Sequence, residues 1–234
     1  MKKYLDIVNE VHKSPYKLTI VSSGGGTNAI SALLEVPGAS NTILESHIPY
    51  SKESMNSFLN KKPDHYCSLD TCLNMAANAF KKSKQIDTTS KTKHLLGISI
   101  TANLATTYEK KGDHKFFIVV QAYDYTKYLE CYLDKGKRTR EEEEELITAC
   151  VISLLADSCG FEYSIPEIDE DISINNNDLE MISKLNYKKY YLVLKEVLLS
   201  VSAWEKDLIN EQIKEFLNNN NCLLYTSPSP RDEK

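Results

Sequence analysis

The segment Lys17-Leu-Thr-Ile-Val-Ser-Ser-Gly-Gly-Gly-Thr27 constrains this chain more than any other, because an apolar run from Leu18 to Val21 passes straight into consecutive glycines. The run predicts a buried strand, and the residues from Asn28 to Leu34 predict a helix opening just after the turn. Glycine lets the backbone take φ > 0 and approach a bound group closely, while the first helical turn points free N–H groups at the same spot. Gly24, Gly25, Gly26 and Thr27 are therefore candidate binding residues for a phosphate or carboxylate. Ser22 and Ser23 fall at the carboxyl end of the strand, where a nucleophile also belongs. A plain tight turn with solvated serines fits the same residues. The loop lacks the Gly-Lys-Ser/Thr end of a P-loop, the dinucleotide-motif spacing fails after Gly26, and no Gly-x-Ser-x-Gly elbow is present.

Around this unit the hydrophobic periodicity alternates between helix and strand. Tyr4, Leu5, Ile7, Val8 and Val11 predict a short amphipathic helix, and Ala29, Ile30, Leu33 and Leu34 a second, ended by Val36-Pro-Gly38. Ser68 is a candidate N-cap for a helix whose Leu69, Leu73, Ala76 and Phe80 share a face. Ile98 to Thr101 reads as a short strand, while Lys115 to Tyr123 and Tyr125 to Leu133 read as an antiparallel hairpin about Asp124. Both faces of the first hairpin strand are apolar, so it needs cover on two sides. Thr139 and Glu142 form a capping-box pattern opening a long helix that packs through Ile147, Val151, Leu154 and Leu155. The glutamates at 141 to 145 suit the start of that helix and a solvated face. This order implies an α/β protein, a three-layer α/β/α sandwich with a mixed sheet.

Past Gly160 the texture changes. Phe161 to Asp178 is polar and reads as irregular, and helical patterns return over Leu179 to Leu199 and around Trp204, Leu208, Ile213 and Phe216. Cys222 to Asp232 reads as the in-frame translation of a transposase sequencing adapter following an asparagine run. It is set aside as an artefact, and the natural protein is expected to continue beyond Asn221. The expected organisation is one domain over 1–160, a helical extension or linker to a missing domain over 161–221, and an artefactual tail over 222–234.

A net charge of −5 with scattered Lys and Arg argues against a DNA or RNA partner, and no stretch is long or apolar enough to span a bilayer. Without the tail, Cys67, Cys72, Cys131, Cys150 and Cys159 form no C-x-x-C pair, which fits a reducing, cytoplasmic compartment. His12, His47, His65 and His94 show no mutual metal spacing, so neither a metal nor another cofactor is expected.

The blocks Ser22-Ser-Gly-Gly-Gly-Thr27, Val36-Pro-Gly-Ala-Ser40, Ile48-Pro-Tyr-Ser51, Tyr66-Cys-Ser68, Gly97-Ile-Ser-Ile-Thr101 and Gly136-Lys-Arg138 occur in the order found in the C-terminal domain of the competence/damage-inducible protein CinA. The chain resembles that family over roughly residues 10 to 160. In many bacteria the domain is a nicotinamide-nucleotide amidohydrolase, which releases the amide nitrogen of nicotinamide mononucleotide as ammonia. The resemblance is nearest to the eukaryotic branch, where such a domain precedes a cytidylyltransferase-like nucleotidyltransferase domain.

Carried over residue by residue, the resemblance implies Ser23 as nucleophile, Tyr50 as its tyrosine partner and Thr101 as an oxyanion donor, with the phosphate held around Gly24 to Thr27. The family's lysine falls on Met55. A thioether cannot take a proton from serine, so a principal activating group is missing. The family's Thr-Gly pair becomes Thr101-Ala102, and its glycine-rich loop is rewritten as Leu104-Ala-Thr-Thr107. Lys52 shares a face with Tyr50 if the segment is extended and diverges from it in a helix. Arg138 and Arg140, before the acidic run, are candidate clamps for a phosphate or carboxylate, Arg138 standing at a loop-to-helix junction, though pairing of both with Glu141 to Glu145 fits equally. His114 either touches a ligand or caps a turn with Asp113. Two functions stand: a degenerate CinA-like domain that binds a small-molecule nucleotide or serves a structural role, a second copy of the chain being a candidate partner, and an amidohydrolase acting on nicotinamide mononucleotide.

Overall fold

Strand β1 (Lys17–Ser23) pairs in parallel with β2 (Ile43–His47) on one side and with β3 (Leu95–Asn103) on the other. Strands β4 (His114–Gln121) and β5 (Tyr125–Leu133) continue the sheet as the expected antiparallel hairpin, and β6 (Ile172–Asp178) closes it antiparallel to β5. The sheet is thus mixed, with strand order β2-β1-β3-β4-β5-β6. The computed structural model describes residues 4–108, 111–162 and 172–178. The helices expected over Leu179 to Leu199 and around Trp204 lie outside the described residues.

Strand β6 corrects the reading of residues 161 to 178 as irregular throughout. Its sequence, Ile-Ser-Ile-Asn-Asn-Asn-Asp, joins the sheet through backbone pairing, Cys131 opposite Ile172 and Tyr125 opposite Asp178. An edge strand needs only such pairing on one side, so it shows no apolar alternation to read.

Helices α1 (Leu5–Lys13), α2 (Thr27–Leu34) and α5 (Arg140–Ser158) cover one face, and α3 (Lys52–Leu59) with α4 (Leu69–Ile86) covers the other. Side chains alternate across a strand, and the two cores follow that parity. Leu18, Ile20, Ile98, Ile100, Phe116 and Ile118 pack with Leu33, Ile147 and Val151 on the first face. On the second, Val21 meets Met55, Leu59 and Met75, while Phe117 and Val119 meet Cys72 and Ala76. The two-sided cover expected for β4 is therefore present.

Helix starts follow the sequence signals. Ser68 Oγ accepts from Thr71 N–H at 3.2 Å, and Thr139 with Glu142 completes the capping box of α5. Such caps contribute about 1 kcal/mol each. Helix α2 differs: it starts at Gly26, in the left-handed region at φ 88°, with no side-chain cap of its own. No helix among the described residues is long and apolar enough to cross a membrane.

This layout positions a site. From β1 the chain passes through α2, on the first face, to β2. It then passes through α3 and α4, on the second face, to β3. The connections diverge between β1 and β3, and a crevice forms outside the carboxyl ends of such strands.

Candidate functional site

Ser23 and Thr101 end β1 and β3 and stand opposite each other in the parallel register. Parity puts both on the face covered by α3 and α4, so the structure brings these two predicted residues together. Their hydroxyl protons are engaged by backbone: Ser23 Oγ donates to the Pro49 carbonyl at 3.0 Å, and Thr101 Oγ1 donates to the Tyr66 carbonyl at 2.9 Å. A serine becomes a strong nucleophile when a base accepts its proton. An amide carbonyl orients the hydroxyl but cannot take the proton.

The residues that would supply the base are arranged otherwise. Tyr50 directly follows Pro49, but its side chain is 72% exposed. Met55 is 1% exposed, packed with Val21, Leu59, Met75 and Ala79 under Phe58 and Tyr66. The position that the resemblance assigns to a lysine is thus a closed apolar pocket. Lys52 is the first residue of α3, capped by Ser51. Because the helix starts there, Lys52 turns away from the extended register of Tyr50, and its Nζ sits 5.9 Å from the centre of the Tyr66 ring. Tyr66 in turn donates from its hydroxyl to Asn56 Oδ1 at 3.2 Å. Tyr66 therefore links Thr101, α3 and the Lys52 cation.

The glycine turn lies on the opposite face, and its N–H groups are not all open. Gly26 N–H donates to Glu144 Oε2 at 2.7 Å, so a carboxylate from α5 occupies the position expected for a ligand anion. Arg140 Nη2 donates to the Gly24 carbonyl at 2.9 Å and Nη1 to the Ala105 carbonyl at 3.2 Å, while Arg140 and Glu144 approach to 3.9 Å. The turn is thus tied to the start of α5 and to the segment after β3. Gly24 has a packing reason as well: with φ at +80°, a Cβ there would lie 2.0 Å from the Ala102 carbonyl oxygen. Arg138 is half-buried at the junction before α5, and it is Arg140 that places a guanidinium on the turn.

The acidic run also departs from a uniformly solvated face. Glu143 is fully buried, with Oε1 3.0 Å from His114 Nδ1 and Oε2 accepting from Ala105 N–H at 2.6 Å. His114 thus meets α5 through Nδ1, and its partner there is Glu143 rather than Asp113. The pairing of Arg140 with the glutamates of α5 is as expected from the sequence, its partner being Glu144, while the roles of Glu143, Glu144, Tyr66 and Asn56 are not marked there. For Glu143 a signal existed: one turn before Ile147, it continues the buried stripe of α5 backwards.

Other reactive groups are held inert. Burial pushes the Cys72 thiol up to about 12, although Ser99 beside it pulls the other way. Burial likewise raises Cys150 to about 12. His12 is tied to Thr42 Oγ1 at 3.0 Å and the Leu33 carbonyl at 2.9 Å, a packing role. Among the described residues no three His, Cys, Asp or Glu side chains are grouped to hold a metal ion.

No family model matches the sequence, and no curated protein matches it. Solved structures do. The CinA superfamily protein of Klebsiella pneumoniae 700603 superposes with a TM-score of 0.55 at 12% identity, covering 68% of this chain and 97% of that one. This is a CinA-like fold. The competence damage-inducible protein A of Klebsiella pneumoniae subsp. pneumoniae MGH 78578 gives 0.53 at 12% identity, over 64% of this chain and 91% of its own. The CinA superfamily protein of Enterobacter cloacae gives 0.51 at 14% identity, over 66% and 94%. At such identities the likeness establishes the architecture of the CinA-like domain, and its chemistry rests on the residues described above.

Proposed function

We propose that this chain carries a degenerate CinA-like domain, a nucleotide-binding or structural module of a nucleotidyltransferase-associated cytoplasmic protein, in which amide hydrolysis has been lost. The observation that carries this reading is Met55, sealed among Val21, Leu59 and Met75 where the resemblance asks for a lysine. With no base on Ser23 among the described residues, its hydroxyl spends its proton on the Pro49 carbonyl. The strand ends at Ser23 and Thr101 gather hydroxyl groups, the Pro49 and Tyr66 carbonyls and the Tyr66 ring, groups that suit recognition of a small polar ring. Ser23, Thr101 and Tyr50 are the residues expected to touch it. The resemblance also assigns ligand contacts to Gly24, Gly25, Gly26, Thr27 and Arg138. Of these, Gly26 already spends its N–H on Glu144.

One observation favours the second reading, a nicotinamide-nucleotide amidohydrolase. Lys52 Nζ lies over Tyr66, whose carbonyl receives the Thr101 hydroxyl in the strand beside Ser23. A lysine entering from the start of α3 would then replace the one lost at Met55. Ammonia release from nicotinamide mononucleotide decides between the two, with Ser23→Ala and Lys52→Ala beside the wild-type chain. The expected result is no release above buffer from any of the three folded proteins. Release that disappears in both variants would establish the amidohydrolase with Lys52 in the activating role.

A further inference from the structure

Helix α2 begins without a side-chain cap, because its first turn is entered from Gly26. The N–H groups at such an end attract negative charge, and here the chain supplies that charge itself. Glu144 Oε2 accepts from Gly26 N–H at 2.7 Å, and a Cβ on Gly25 would lie 3.1 Å from Glu144 Oε1, so both carboxylate oxygens lie against the turn. The Glu144 side chain is only 13% exposed. Two tethers keep it there. Glu144 sits on α5, whose start is fixed by the Thr139 capping box and by the buried Glu143, and Arg140 spans from the Gly24 carbonyl to within 3.9 Å of Glu144.

We propose that Glu144 is a specificity-determining residue that closes the glycine turn to phosphate and other anions, so that any ligand taken by the Ser23–Thr101 crevice is bound without an anion at Gly26. An entering phosphate would lose the Gly26 donor and meet a carboxylate at hydrogen-bonding range, where like charges repel and little water screens them. The inference rests on the reading of this region as a ligand site, and it narrows the ligand to the part of a nucleotide other than its phosphate. The resemblance alone points the opposite way, since it places the phosphate at this turn.

The test reads the turn directly. Gly25 and Gly26 are the only glycines preceded by glycine in the chain, so protein carrying carbon-13 and nitrogen-15 in glycine alone shows just these two amides in a carbonyl-filtered spectrum. Inorganic phosphate is titrated at constant ionic strength into the full chain and into Glu144→Ala. The wild-type amides should not move. In Glu144→Ala they should shift and saturate, with an apparent affinity roughly tenfold or more above the wild type, the range expected for one charge-assisted hydrogen bond. Glu144→Gln keeps the shape of the side chain and removes its charge. It should gain phosphate binding in the same direction, and it serves if Glu144→Ala does not fold. Saturable shifts in the wild type, or none in either folded variant, would overturn the proposal. Because the probe is phosphate and the readout is the turn, ammonia release or nucleotide binding at Ser23 can succeed or fail without affecting this outcome.

Discussion

Gly97→Ala should be strongly destabilising, because the methyl it adds would be driven into the backbone of a packed helix. Gly97 lies on β3 facing α4, and a Cβ built there would stand 2.2 Å from Phe80 N and 2.3 Å from the Ala76 carbonyl oxygen. Ordinary contact begins near 3.4 Å. The helix would have to retreat by about 1 Å, and its neighbours at this point are backbone atoms, which have no rotamer to change. Overpacking of a core costs about 1–3 kcal/mol, and rigid neighbours put this case at the upper end. The alanine recovers about 0.4–1 kcal/mol by restricting the unfolded chain, leaving a net loss of roughly 2–2.6 kcal/mol. For a domain of this size that lowers Tm by about 4–10 °C. Gly112→Ala is the matched control, since its nearest heavy atom is Asn103 Nδ2 at 3.6 Å and its φ is outside the left-handed region. It should stabilise by about 0.4–1 kcal/mol. Urea unfolding followed by far-ultraviolet circular dichroism measures both. A Gly97→Ala protein within about 0.5 kcal/mol of the wild type would refute the close approach of α4 to β3.

Two further outcomes follow from the titratable groups. Lys17, the Ser90 N–H and hydroxyl, and the Thr89 hydroxyl hold the Asp87 carboxyl well below the usual carboxylate range. The stability this contributes is complete above the unfolded value near pH 4 and falls away as pH drops towards the folded one, so Asp87→Asn should flatten the acid limb of stability below about pH 4. An unchanged acid slope in urea titrations would contradict the network. Burial holds the Cys72, Cys150 and Cys159 thiols up at about 12. Iodoacetamide at pH 8 should therefore leave these three unmodified in native protein and reach them in urea, as read by peptide mass mapping. Rapid native alkylation of Cys72 would show that α4 does not seal that face of the sheet.

How much of this was legible depended on how many sides of an element are buried. Helix α1, strand β1, the β4–β5 hairpin and the capping box of α5 were all readable, because apolar periodicity and cap residues carry their signals locally. The sequence pattern marks β3 only over Ile98 to Thr101, yet the strand spans Leu95–Asn103. Its second face is made of Gly97, Ser99 and Thr101, small and polar residues chosen to admit α4, so an apolar pattern could not mark it. Strand β2, Ile-Leu-Glu-Ser-His, pairs only with β1 among the described residues and is half-buried, so its sequence carries no clear strand pattern. Helix α3 offers just Met55 and Leu59 as buried positions, one turn apart, which is too little periodicity to distinguish from a loop.

The site was legible in its strand ends and not in its electrostatics, and the reason is sequence distance. Ser23 and Thr101 follow from reading where strands stop, a local property. The partner of the glycine turn comes from more than a hundred residues away, and among neighbouring glutamates only the helix register decides which one arrives. Glu141 and Glu142 stay exposed, Glu143 is buried against His114, and Glu144 reaches Gly26. A run that looks uniform in sequence is therefore divided by α5 into solvent, core and site. Met55 belongs to the same argument from the other side of the sheet. Once α3 places it against Val21 and Met75, a charged side chain there would need a partner that this apolar pocket does not contain, and substituting lysine alone would introduce a buried charge before it restored a catalyst.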